Sequence, residues 1–122
     1  EMTEGYGYRS ARDMLRRAAA PTAFLTSSLI VALGVRRAVE EVGLRMGRDI
    51  SIVTHDDELS YLRNGDTIPI FTAVRSSVRE AGRLAAEMLL RRIADPSLPH
   101  QNRLLEAELT IGQSTGPAPV RN

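Results

Sequence analysis

Asp49-Ile50-Ser51-Ile52-Val53-Thr54-His55-Asp56-Asp57 decides the fold: it is a short apolar run that ends abruptly on two adjacent carboxylates. A run of this length and composition reads as a strand buried on both faces, the kind that belongs to a parallel α/β sheet. In open sheets of that class, ligands bind in the crevice beyond the carboxyl ends of the strands. Asp56 and Asp57 therefore mark the first place to look for a site.

Working outward, Thr22-Ala23-Phe24-Leu25-Thr26 reads as an earlier strand, and Ser27-Ser28 offers a hydroxyl to the free amides of the next helix. Leu29, Ala32, Leu33, Val35, Ala38, Val39 and Val42 recur at helical spacing, and Gly43 suits the left-handed position past the helix end. Gly34 lies inside that helix against its propensity, which points to a close neighbour. With the Ile50 strand following, this is a βαβ unit. Before it, Tyr8, Ala11, Leu15 and Ala18 predict a helix over Thr3 to Ala18, ended by Pro21.

Downstream, Asp57 to Thr67 is polar and turn-rich, with Asn64-Gly65-Asp66 at its tip, and Ile68 to Val74 reads as an extended segment interrupted by Pro69. Ser77-Val78-Arg79-Glu80 has capping-box spacing ahead of a helix striped by Val78, Ala81, Ala85, Met88 and Leu89. Asp95-Pro96 stops that helix. Leu104 to Ile111 is a last extended segment before a Gly-Pro tail.

The 122 residues fit one domain or a piece of one, with an ordinary 43% hydrophobic and 25% charged content. No apolar run approaches the roughly 20 residues needed to cross a bilayer. The net charge of +1 provides no global field for nucleic acid, and the 16 basic residues, all Arg, form no cluster. Without cysteine, the chain has no disulfide, thiolate nucleophile or Cys-based zinc site, and His55 and His100 lie too far apart for a His-rich metal site. No Walker loop, dinucleotide fingerprint, HExxH or EF-hand pattern occurs, so no cofactor and no metal is expected. Glu1-Met2 does not read as a natural start, so sequence upstream is expected.

Neighbouring residues on an extended chain point to opposite sides, so one carboxylate of the Asp56-Asp57 pair faces the cleft rather than both acting as an acid/base pair. Its alternatives are a ligand acceptor and a strand-end turn residue bonded to its own backbone. Ser27 and Ser28 sit at the equivalent junction one strand earlier, as helix caps or cleft donors. Neither lies in a G-x-S-x-G elbow, and His55 within its strand is assigned no catalysis, so no enzyme is expected.

Taken together, Pro21-Thr22-Ala23-Phe24, Ala32-Leu33-Gly34, Gly43-Leu44, Asp49-Ile50-Ser51-Ile52-Val53, Asp56-Asp57, Thr72-Ala73-Val74-Arg75 and Ser114-Thr115 resemble, in order and spacing, the lactose-repressor (LacI/GalR) family of transcription regulators. The resemblance covers nearly the whole chain and corresponds to the C-terminal part of that family's effector-binding region. It implies an α/β, parallel-sheet, periplasmic-binding-protein-like (type I) lobe with a crossover helix belonging to a second lobe. Residues 1–71 would form the C-terminal lobe, 72–103 the crossover and helix of the other lobe, and 104–122 the return strand and tail.

The resemblance also implies roles. Asp56 matches the cleft aspartate that holds ligand hydroxyls, Ser27 falls where the family commonly has Asn, and Ser28 replaces the following Asp. Met2 stands where an aromatic usually stacks on the ligand, so the grip on a sugar ring would be thinner than usual. The partners implied are a small sugar-like effector, a second copy of the chain docked through Leu29 to Val42 and Tyr61 to Ile68, and operator DNA reached only through a helix-turn-helix absent here. A cytoplasmic location follows from the same resemblance. The rival expectation is a sugar-transport solute-binding protein, which shares the fold.

Overall fold

The computed structural model describes residues 1–58 and 62–120. The elements run α1 (Glu4–Leu15), β1 (Ala23–Thr26), α2 (Leu29–Glu41), β2 (Ser51–Asp56), β3 (Thr72–Arg75), α3 (Val78–Ala94) and β4 (Glu108–Thr110). They build one four-stranded sheet in the order β1-β2-β3-β4. β1 pairs parallel with β2 and β2 parallel with β3, whereas β4 returns antiparallel to β3. The βαβ unit expected from sequence is present.

Strict alternation decides which way β2 faces: Ile52, Thr54 and Asp56 are buried and the residues between them are half-buried. Ile52 joins Ala32, Val35, Ala38 and Val39 of α2, Ala11 of α1, and Phe71 in a single core cluster. Two glycines let the helices approach. A Cβ at Gly34 would strike the backbone of Glu4 and Tyr8, and one at Gly7 would strike the carbonyl of Val31. This is the close neighbour that Gly34 foretold. Around the crossing, Tyr8 donates to Glu41 at 2.5 Å, the Arg37 guanidinium lies 4.1 Å from the Tyr8 ring centre, and Arg37 pairs with Glu4 at 2.8 Å.

Several element ends differ from the sequence reading, each for a local reason. α1 starts at Glu4 because Thr3 caps it, its hydroxyl accepting from Tyr6 N–H at 3.1 Å, and it stops at Leu15, where Arg17 N–H turns back to the Met14 carbonyl. β3 starts at Thr72 rather than near Ile68. Pro69 supplies no N–H, and the Asn64 side chain takes both backbone groups of Phe71, accepting from its N–H at 2.7 Å and donating to its carbonyl at 2.8 Å. Ser77 caps α3 through Glu80 N–H at 3.1 Å, but Glu80 does not complete the reciprocal box. Its carboxylate binds Arg83 instead, and that hydrogen bond holds its pKa below the ordinary value.

Behind the sheet edge, the returning chain is fastened at Ser114, which is fully buried. Its hydroxyl donates to the Ile52 carbonyl and accepts from Thr72 N–H at 2.8 Å, while its carbonyl accepts from Ile52 N–H at 2.8 Å. One residue thereby bridges β2 and the start of β3.

α3 stands apart. Among the described residues it packs against no other helix or strand and buries no side chain. Leu89, Leu90 and Ile93 are each more than 60% exposed.

Two stability predictions follow from this packing. Gly34→Ala, forcing a methyl into the α1 backbone, is expected to destabilise the fold by about 2 kcal/mol or more in denaturant unfolding; an unchanged midpoint would mean that the helices do not cross this closely. Ser114→Ala removes the partner of a buried amide and should cost about 2 kcal/mol. A loss within measurement error would show that β2 and β3 are held by other means.

Candidate functional site

The three parallel strands end on one edge of the sheet, and the last residues of β2 and β3, Asp56 and Arg75, are register partners. Parallel pairing thus sets a carboxylate beside a guanidinium where the crevice opens. Asp56 is only 8% exposed. One of its oxygens, Oδ1, accepts from Glu58 N–H at 3.1 Å, and the other, Oδ2, lies 3.9 Å from Arg75 Nε. Arg75 in turn pairs with the Glu58 carboxylate. The backbone continues the junction, since Ser76 N–H donates to the Asp56 carbonyl at 3.2 Å.

Glu58 carries a left-handed backbone, φ 56°, the one positive φ among described non-glycine residues. Such a conformation costs roughly 1–2 kcal/mol for an L-residue. It turns the chain so that the Glu58 amide meets Asp56 and its side chain meets Arg75. The turn reading of Asp56 is realised through Oδ1, while Oδ2 lies on the Arg75 side and the residue also lines a cleft.

The cleft has a volume of about 410 Å³ and is lined by Asp56, Glu58 and Arg75 on one side and by Arg63, Asn64 and Asp66 of the following loop on the other. Thr110 of β4 closes it from the return strand. A lining of acceptors and charged donors around a half-open hollow can hold a small polyhydroxy molecule through charge-assisted hydrogen bonds. No group of acidic or His side chains suited to a metal occurs among the described residues.

Ser27 and Met2 do not line this cleft. Ser27 is exposed directly after β1, on the same sheet edge as Asp56, and Met2 is 66% exposed just ahead of the α1 cap. Ser28 has the extended backbone of an N-cap, yet its hydroxyl caps nothing and is buried without a hydrogen-bond partner among the described residues. Capping of α2 by the Ser28 hydroxyl, as read from the sequence, does not occur. His55 Nε2 lies 2.7 Å from Ser76 Oγ, which satisfies the imidazole. Glu58 and Asn64 received no role in the sequence reading and Arg75 only a place in a motif. Nothing in a linear sequence marks a left-handed glutamate, though Arg75 ending an apolar strand opposite Asp56 was a usable signal.

The mostly parallel sheet with a crevice at its carboxyl edge forms an α/β lobe, from which α3 projects. Residues 1–115 match the family described as periplasmic binding protein-like domain. The chain belongs to that family, in the form carried by LacI-family regulators. It is 43% identical over 121 residues to the HTH-type transcriptional regulator AglR of Rhizobium meliloti (strain 1021), matching 99% of this chain and 34% of that protein. Among solved structures, the lac repressor dimer bound to operator and the anti-inducer ONPF superposes with a TM-score of 0.81 at 29% identity, covering 96% of this chain and 40% of that one. A LacI family regulator from Enterococcus faecium with bound ribose gives 0.73 at 26% identity, covering 99% and 42%. The chain therefore spans about a third of the length of the curated relative described here.

Proposed function

We propose that this chain is the ligand-sensing part of a LacI-type transcriptional regulator. It binds a small polar effector, a sugar or related metabolite, in a cleft between two lobes, and so controls DNA binding by a separate N-terminal helix-turn-helix. The observation that carries this reading is Asp56, a buried carboxylate at the carboxyl end of a parallel strand that lines a polar cleft. The ribose held by the Enterococcus relative and the operator held by the lac repressor dimer support the same assignment. Each of the three relatives described is a transcriptional regulator, which favours regulation over transport and over enzymatic turnover. A regulator of this kind works in the cytoplasm.

Residues 1–71 act as the C-terminal lobe, 72–103 as the crossover and a helix of the other lobe, and 104–122 as the return. The unpaired apolar stripe of α3 supports that division, because a helix with no buried side chain in its own chain needs a partner elsewhere. Effector occupancy favours one lobe orientation and shifts how the DNA-reading heads are presented. Ser27 and Met2 contribute to the ligand site from the neighbouring sheet edge and from the start of α1. Dimerisation uses α2, where Ile30 and Val42 are exposed, and the loop to Ile68, which is also exposed. Tyr61, read from sequence as part of that contact, lies outside the described residues.

Asp56→Ala in the full-length protein should weaken effector binding by about tenfold or more in a calorimetric titration, the scale of a lost charge-assisted hydrogen bond. Unchanged affinity would remove Asp56 from the ligand site. Sedimentation of the full-length protein is expected to give a dimer, and a monomer at every concentration would contradict the proposed α2 contact.

A further inference from the structure

Resting on the reading that Asp56 holds ligand hydroxyls, we propose that Glu58 and Arg75 set the charge selectivity of this cleft. They admit a neutral polyhydroxy ligand and turn away its phosphorylated or carboxylated counterpart. The geometry lies in one three-residue group. The Arg75 guanidinium is hydrogen-bonded to Glu58, whereas its Nε is 3.9 Å from Asp56 Oδ2, too far for a hydrogen bond. Arg75 is thus committed to Glu58 and faces Asp56 only as a charge.

Two carboxylates against one guanidinium leave this end of the cleft net negative. On the facing loop, Arg63 and Asp66 offset each other. The Asp56 side chain is 12% exposed, so water screens it poorly, and an anion brought beside it meets a repulsion that a neutral hydroxyl does not. A hydroxyl can donate to Oδ2 and accept from the neighbouring guanidinium. Were Glu58 uncharged, Arg75 would balance Asp56 alone and remain open to a phosphate or carboxylate. Glu58 is therefore the deciding residue. Its left-handed backbone supports this: one residue, held in a sparsely populated conformation, puts its amide on Asp56 and its carboxylate on Arg75.

The test is calorimetric titration of the full-length protein with three pairs of probes: ribose and ribose 5-phosphate, glucose and glucose 6-phosphate, glucose and glucuronate. At least one neutral member should bind, and more tightly than its anionic counterpart by about tenfold or more. Glu58→Gln keeps the amide on Asp56 and should bring that ratio close to one with an unchanged melting temperature, whereas Glu58→Asp should keep the preference. A phosphate or carboxylate form binding as tightly as the neutral sugar, or a ratio that Glu58→Gln leaves untouched, overturns the proposal. Asp56→Ala separates the two layers. If it weakens neutral binding about tenfold or more while Glu58→Gln does not change the ratio, the charge selectivity falls and the hydroxyl-binding role stands. If Asp56→Ala leaves neutral affinity unchanged, or no neutral probe binds, both fall.

Discussion

Ser114 holds the geometry on which the site depends. At one fully buried point its hydroxyl and carbonyl satisfy the backbone of Ile52 in β2 and the N–H of Thr72 at the start of β3. Thr72 begins the pairing that runs to Arg75, and that register brings Arg75 opposite Asp56. A slip of one residue would turn every β2 side chain to the other face and take the carboxylate out of the cleft. Ser114 thus helps position two charges from the middle of the chain, which ties the return segment to the candidate site.

The other constraint is what the chain leaves unsatisfied. α3 is 17 residues long, is capped by Ser77 and is laced by Arg83 with Glu80 and Glu87, but among the described residues it rests on no other element. Exposed surface ion pairs contribute little, so its apolar stripe must be covered to contribute stability. The short link from Arg75 through Ser76 and Ser77 joins this helix directly to the cleft residues. Under the proposed function, this link is the connection through which a ligand-controlled lobe rotation would act.

Much of the fold was legible in the sequence because its determinants are local. Helical periodicity located α2 and α3, Gly34 announced a close helix crossing, and the apolar run ending at Asp56 declared a parallel strand, whose end lines the cleft. The β3 boundary was misread because a side chain replaces a backbone partner, Asn64 occupying Phe71; at Ser28 the helix start was read correctly, but the hydroxyl does not cap it. The site was only half legible. Asp56 was visible as a strand-end carboxylate, but Arg75 and Glu58 join it through sheet register and a left-handed turn, both of which exist only after folding. Ser27 came from its strand-to-helix junction as well as from family resemblance, Met2 from resemblance alone, and the cleft around Asp56 is lined without them.

Asp56 Oδ1 accepts from the Glu58 amide and so stabilises the turn that seats Glu58, and the same residue lines the cleft; under the proposed function, folding and recognition share one group. The most direct check is a crystal structure of the full-length protein with a neutral sugar bound. A ligand hydroxyl within about 3 Å of Asp56 Oδ2 is expected. A sugar seated elsewhere, with Asp56 bonded only to its own backbone, would contradict the assignment of this strand end as the ligand site.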